Sequence, residues 1–437
     1  MKNRLMAKLL VVCLLAAFVL GACQPAAQTS STGPTQIIYL DPIPTPERTE
    51  MLGKMIEEFN KKGTVNVEYQ SIPWDEAYKK IVSMGASETM SDVIAVDEGM
   101  MKTLAAAEFL APLDDYFANF HDKSDLTATF MNSESNWAYK GKMYVIPDSF
   151  GCQGIFVRTD WLKEVGVDIE TLREWTWDQY FDVNKKLTDK DKGRYGIAFR
   201  GGANGMRMFF EYACSKMEVG SCFPDGNNQS IFSRPEMVDL FKNFYGLYVD
   251  GYAPKDSITW GFTDMVEGFV TGQCGTLNQT PEVVLTCEET MQDGTWTVLP
   301  SPCKEGAQSN YINWGSTAGF SIAASSPNKD AAWEFISYVT NKENNLEYCK
   351  GFGYLPIYNS NLKDSYFQSG VMKGYADTLA NPKNRLIDVS TLSQWGYFLA
   401  EFSTTEVQKY MSGTQSAEDT VANLAKWLSD EYDKEYS

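Results

Sequence analysis

Residues 141–165, GKMYVIPDSFGCQGIFVRTDWLKEV, constrain this chain more than any other stretch. Gly141-Lys142 is a turn signal, and an apolar segment ending at Pro147 follows it. Small and polar residues at 148–154 separate this segment from a second apolar strand, Ile155-Phe156-Val157. Arg158-Thr159-Asp160 then leads into a helix starting at Trp161. Two strands in one line, broken by a proline and small residues, describe a chain leaving one lobe for another. Residues 148–154 are therefore expected to form a first hinge and part of the floor of a ligand cleft. Asp148, Phe150 and Gln153 would share that role, with Gly151 and Gly154 permitting the bend.

The length of 437 residues exceeds what one core usually organises, so two lobes fit the size as well. From residue 35 the pattern alternates strand and helix. QIIYL (36–40) reads as a strand. Thr45-Pro46 reads as an N-cap and first helical position, before Met51, Leu52, Met55, Ile56 and Phe59 on one helix face. A strand at 65–72, a helix with Tyr78 and Ile81, a buried strand at 92–96 and a helix to Leu110 complete a β-α-β-α-β run. This predicts a parallel, doubly wound lobe, with ligands beyond the C-terminal strand ends at Asp41 and at Asp97-Glu98.

Beyond the crossing, Thr176 and Gln179 form a capping box. A turn and strand (187–199) precede a Met/Phe-rich helix. Residues 261–280 read as helix, turn at Gly272 and strand to Asn278. WTVLP (296–300) is a strand. A return crossing is expected near 311–317, leading into a strand at 317–324, and a third crossing at 351–356. The remainder reads as helical to about residue 432, with a capping box at Ser416 and Asp419. The expected fold is α/β with two lobes, each a mainly parallel sheet flanked by helices, and three inter-lobe crossings. Residues 35–148 plus 315–352 form the first lobe, and 149–314 plus 353–437 the second.

With 57 acidic against 38 basic residues, the formal charge is −19. Such a chain repels nucleic acid and anionic lipid, and bulk charge would not hold a polyanion. The single histidine, His121, reads as solvated, so triad and poly-His metal chemistry have no basis here. The DKDKG turn lacks calcium-loop ligands, and no motif calls for a metal or cofactor. Residues 1–22 carry Lys2, Arg4 and Lys8 before a short apolar run, as a signal peptide does. Leu20-Gly21-Ala22-Cys23 resembles a bacterial lipobox, with Cys23 the lipidated residue. Residues 23–34 read as a flexible tether. Removing the three leader cations takes the charge to −22. Seven cysteines remain after the leader, and Cys214/Cys222 and Cys274/Cys287 are close enough for disulfides, although buried free thiols fit equally.

GKMYVIP with IFVRTDWLKEVGVD resembles the crossing segment of family 1 extracellular solute-binding proteins, the sugar receptors of ABC importers. WTWDQYFDVNKKLTDKDKGRYGIAF, MVEGFVTGQCGTLNQTPEVV, STAGFSIAASSPNKDAAWEFISYVTNKENN, GFGYLP and YMSGTQSAEDTVANLAKWL are similar to later family segments. They follow in family order over 36–430. The resemblance implies a periplasmic-binding-protein-like fold and no enzymatic activity. It implies a cleft for one mono- or oligosaccharide per monomer. The lobes would close by a hinge motion, and ABC permease subunits would read the closed form. The chain would lie outside the cytoplasm, held to the membrane by the N-terminal lipid alone. Cleft positions implied are Asp41, Asp97, Glu98, Asp148, Phe150 and Gln153, then Arg200, Asn204, Asn278 and Gln279. Trp314, Gly315 and Trp395 complete the set, the last matching a cleft tryptophan of the maltose receptor. Planar polar groups and aromatic plates are what sugar hydroxyls and C–H faces require. An anchored glycosidase, or a receptor for a polyamine or peptide, are the alternatives.

Overall fold

The computed structural model describes residues 33–132, 137–315, 319–388 and 392–436. The leader and Cys23 thus lie outside the described residues. Residues Thr35–Ser437 form one compact unit.

The first sheet begins with β1 (Thr35–Asp41). Thr45 caps α1 (Pro46–Asn60), its side chain accepting from Arg48 N at 3.2 Å. Leu52, Met55, Ile56 and Phe59 bury, as their helical spacing predicts. β2 (Val65–Ser71) pairs in parallel with β1 along its whole length, and α2 (Trp74–Ala86) follows. β3 (Val93–Val96) is buried throughout and pairs in parallel with the other edge of β1. Asp97 caps α3 (Glu98–Ala106). The chain reaches β4 (Ile146–Pro147) and then enters the second sheet as β5 (Gly154–Arg158). There it forms α4 (Trp177–Leu187), with the expected Thr176–Gln179 capping box, β6 (Tyr195–Ile197) and α5 (Met206–Met217). α6 (Phe262–Val270), a turn at Gly272 with φ +82°, and β7 (Cys274–Gln279) match the reading of 261–280. β8 (Trp296–Pro300) completes this sheet. The chain returns as β9 (Gly319–Ile322), α7 (Lys329–Val339) and α8 (Lys342–Phe352), and its last helix is α9 (Ala417–Tyr436).

The sheet orders are β2-β1-β3-β9-β4 and β8-β5-β7-β6. Most strands in each sheet share one direction, as expected, but each sheet holds one reversed strand. β9 is antiparallel to β3 and β4, and β5 is antiparallel to β7 and β8. Both reversed strands follow a crossing. A chain arriving from the cleft meets a sheet where its other strands end, so it must run against them.

The three crossings lie side by side. Gly151 and Cys152 pair antiparallel with Gly315 and Trp314. Phe150 exchanges both backbone hydrogen bonds with Leu355, at 2.7 and 2.8 Å. Gly353, at φ +77°, ends α8 and turns the chain into the third segment. Gly151 and Gly154 do not have positive φ; space is what they supply. A Cβ on Gly151 would lie 2.9 Å from the Tyr354 ring, and one on Gly154 would lie 2.7 Å from Val298 Cγ1.

A fully buried charge network ties the first crossing to the first sheet. Arg48 Nε donates to Asp41 Oδ2 at 2.9 Å, and its guanidinium lies 4.0 Å from Asp148 Oδ2. Tyr348 joins Arg48 and also donates to Asp148 Oδ2 at 2.6 Å. Phe352 covers the guanidinium face at 4.1 Å. Burial pushes Asp148 up to about 6, opposed by Arg48. At the second core, around Trp175, Trp177, Phe209 and Tyr245, the carboxyl of Glu211 of α5 is fully buried. Neither of its carboxylate oxygens has a hydrogen-bond partner among the described residues, and burial pushes it up to about 7. All seven cysteines after the leader are free thiols, six of them buried.

Two stability measurements follow from these buried charges. Arg48→Met strands Asp41 and Asp148 without their cation, and urea unfolding should show a loss of about 3–5 kcal/mol. Glu211 has a folded pKa above its unfolded value, so the folded state holds the extra proton. Its stabilisation is complete below about pH 4.5 and is lost as pH rises through 7, by roughly 3 kcal/mol. Unfolding midpoints should therefore decrease as pH rises from about 5 to about 7.5 in the native chain, and decrease less in Glu211→Gln. Equal slopes would contradict this.

Candidate functional site

The cleft begins where first-lobe strands stop. β2 ends before Trp74-Asp75 at the start of α2, and β3 ends before Asp97-Glu98 at the start of α3. Second-lobe arginines reach these ends. Arg207, in the first turn of α5, donates to Asp97 Oδ2 and to Glu98 Oε1, both at 2.7 Å. Arg200 donates to Asp75 Oδ1 at 2.7 Å, and the other oxygen of Asp75 accepts from Phe262 N at 3.0 Å. Asp97 uses its remaining oxygen to cap α3 through Met100 N at 2.8 Å. Burial, then the adjacent Glu98 charge, raises Asp97 to about 6, while Arg207 pulls it down. Burial works against the charge on Arg207, but Glu98 and Asp97 outweigh it and hold the guanidinium above its ordinary value.

Three cavities run in line between the lobes. An inner one of about 40 Å³ is lined by Gln153, Arg200, Asn204, Arg207, Asn278 and Gln279, among others. A middle one of about 60 Å³ shares Gln153, Arg200, Arg207 and Gln279 with it, and adds Trp74, Phe262, Glu282 and Tyr354. An outer groove of about 440 Å³ shares Ile43, Trp74 and Phe262 with the middle cavity and is mostly apolar. The inner two have room for one or two waters each, whereas the outer groove has the size of a small-molecule site. Ion pairs between the lobes occupy the centre of the cleft.

Buried polar atoms without hydrogen-bond partners among the described residues collect here. They are Gln153 Oε1, Arg200 Nε, Asn278 Nδ2 and Glu282 Oε2. Gln153 and Asn278 are each 8% exposed and Glu282 7%. Leaving such groups unmatched costs on the order of 1–3 kcal/mol each, so a polar group placed in these cavities would be favoured.

The structure separates the expected residues into groups. Gln153, Arg200, Asn204, Asn278 and Gln279 line the cavities, and Asp97 and Glu98 hold the bridging arginine. Asp41 and Asp148 are instead consumed by Arg48 inside the first lobe, with no exposed surface. Phe150 is buried edge-on against Phe130 at 6.2 Å, so its ring does not form the cleft floor. Trp395 is fully buried, stacked on Phe398 at 5.0 Å and edge-on to Phe210 at 5.6 Å, with Gly99 of α3 against its ring. It sits at the lobe contact but outside the three cavities. Trp314 and Gly315 contribute backbone to the paired crossings, and their side chains lie outside the described residues.

Sequence reasoning missed Trp74, Asp75, Arg207, Phe262, Glu282 and Tyr354. The signal for Trp74 and Asp75 was available, since they follow a parallel strand just as Asp97 does. Arg207 and Glu211, four apart in the apolar run MRMFFEYAC, also marked a helix face that needed polar partners.

Comparison with known proteins agrees with this architecture. A family model described as bacterial extracellular solute-binding protein matches residues 45–346. The maltotriose-binding protein of Pyrococcus abyssi is 24% identical over 262 residues, covering 60% of this chain and 53% of that protein. An ABC substrate-binding protein from Listeria monocytogenes, solved in complex with cycloalternan, superposes with a TM-score of 0.77 at 20% identity, over 91% of this chain and 98% of that one. A solute-binding protein from Thermotoga lettingae bound with α-D-tagatose gives 0.79 at 18% identity, over 91% and 100%. With its two lobes, paired crossings and inter-lobe cleft, the chain belongs to the bacterial extracellular solute-binding protein family.

Proposed function

We propose that this chain is the sugar receptor of an ABC importer, capturing one mono- or oligosaccharide between its lobes and presenting the closed form to the permease. One observation carries the reading: the unmatched planar polar groups Gln153 and Asn278 face a line of cavities rimmed by Trp74 and Phe262. Paired amide hydrogen bonds and aromatic plates are the two contacts that a pyranose uses. The relatives support it, since their descriptions name maltotriose, cycloalternan and tagatose as ligands. Binding alone is required; no bond in the sugar is made or broken. The chain acts as a monomer outside the cytoplasm, anchored through lipid on Cys23, for which Leu20-Gly21-Ala22-Cys23 is the support. Among the described residues no helix is long and apolar enough to cross a membrane. The lobes divide as 35–148 plus 315–352 and 149–314 plus 353–437. Asn359 and Asn361 still bond to Asp125 and Lys342 of the first lobe, which moves the last boundary of this division from residue 353 to about residue 361.

Ligand favours closure only through contacts that exist when the lobes meet. The inner cavities are smaller than a sugar ring, so binding must part the Arg207 and Arg200 bridges or shift them outward. A thermal-shift and tryptophan-fluorescence screen of mono- and oligosaccharides tests the function. At least one sugar should raise the unfolding midpoint and change the emission. Gln153→Ala and Asn278→Ala should each weaken its binding about tenfold, or about 1.4 kcal/mol. A screen that stays flat throughout would overturn the reading.

A further inference from the structure

The cleft has more negative than positive charge, and one of its carboxylates is unmatched. Arg207 is matched by Asp97 and Glu98, and Arg200 by Asp75. Glu282 then remains as a fourth carboxylate against two guanidinium groups, a formal surplus of two negative charges. Its Oε1 accepts from Thr280 Oγ1 at 2.6 Å, its Oε2 has no hydrogen-bond partner among the described residues, and burial raises its pKa against weaker pulls from Thr280, Tyr354 and Arg200, so a cation beside it would hold it ionised. Glu282 is 7% exposed and lines the middle cavity together with Trp74, Phe262 and Tyr354. Burial first, and then the Glu282 carboxylate, keep the Tyr354 phenol far above its ordinary value, so that ring stays neutral beside it. A buried carboxylate enclosed by aromatic rings is the environment that recognises an organic ammonium, through charge and through the ring faces.

We propose that the cleft selects a carbohydrate bearing a free ammonium group, a 2-amino sugar or a short oligomer of one, with Glu282 as the counter-ion. This rests on the sugar-receptor reading above and names the substrate class for the same site. A uronate would need an arginine, and both arginines already hold the lobes together at 2.7 Å. The sugar ring must displace the bridges in either case, but an ammonium needs neither arginine as its counter-ion. It supplies the cation that Glu282 lacks, and the sugar hydroxyls remain for Gln153 and Asn278. The outer groove would take the apolar faces of further sugar units along Trp74 and Phe262.

Matched ligands test this by isothermal titration calorimetry on the purified protein. Glucosamine, N-acetylglucosamine and glucose differ only at the 2-substituent, as do the β-1,4-linked glucosamine disaccharide, its N-acetylated form and cellobiose. Galactosamine and its two counterparts extend the set, and glucuronate and spermidine are the charged controls. The expected result is that one amino sugar binds at least tenfold more tightly than its acetylated and neutral counterparts. Glu282→Gln should reduce it to the level of the neutral sugar. Neutral or acetylated sugars that bind as tightly as the amine overturn this inference while leaving a sugar receptor in place. Preference for glucuronate does the same, as does an amine preference that persists in Glu282→Gln. Spermidine binding without binding by any sugar overturns both. Silence of every amino sugar in the native protein overturns the inference whether or not the variant folds.

Discussion

One guanidinium holds the two lobes in register. Arg207 leaves the first turn of α5 and meets Asp97 and Glu98 at the end of β3, each at 2.7 Å. The contact is bidentate and shielded, so it is strong and directional. Its position is also exacting. Asp97 must cap α3 with one oxygen and receive Arg207 with the other. Asn313, from the return crossing, donates to the Arg207 carbonyl at 2.6 Å. The hinge, the second lobe and the first lobe therefore converge on one side chain. Everything a ligand meets in the inner cleft is arranged around this bridge.

The crossings make that convergence possible. Phe150 pairs with Leu355, and Gly151-Cys152 with Trp314-Gly315, so the three segments form one hydrogen-bonded ribbon. Such a ribbon resists shear more than bending, which fits the opening and closing proposed for the lobes. Its first-lobe end is anchored by Asp148 in the Arg48 network. The residue that looked like a ligand contact is thus the root of the hinge.

The helices and strands of both lobes were legible where their signals are local. Alternating strand and helix periods, Thr45-Pro46 and the Thr176–Gln179 box depend on neighbours within a few residues. The crossings were legible because proline and small residues interrupt an apolar line. The site was half legible. Strand ends gave Asp97 and Glu98, but the same rule gave Asp41, whose oxygens belong to Arg48. The clue was that Arg48 falls on the stripe Leu52, Met55, Ile56 and Phe59, so a buried partner had to exist. Trp395 and Phe150 show the complementary difficulty. Whether an aromatic residue at a loop faces a cavity or another ring is decided by packing from distant segments, here Phe210, Phe398 and Phe130. The two reversed strands likewise follow from three-dimensional entry at the cleft and have no counterpart in strand composition.

Small-angle X-ray scattering of the native chain and of Arg207→Met tests most directly whether charge across the cleft sets the lobe separation. The native protein should have the smaller radius of gyration at about 0.05 M salt and should expand toward the variant at about 1 M, where the bridges are screened. The variant should be expanded at both. Identical radii for the two proteins at low salt would contradict the account.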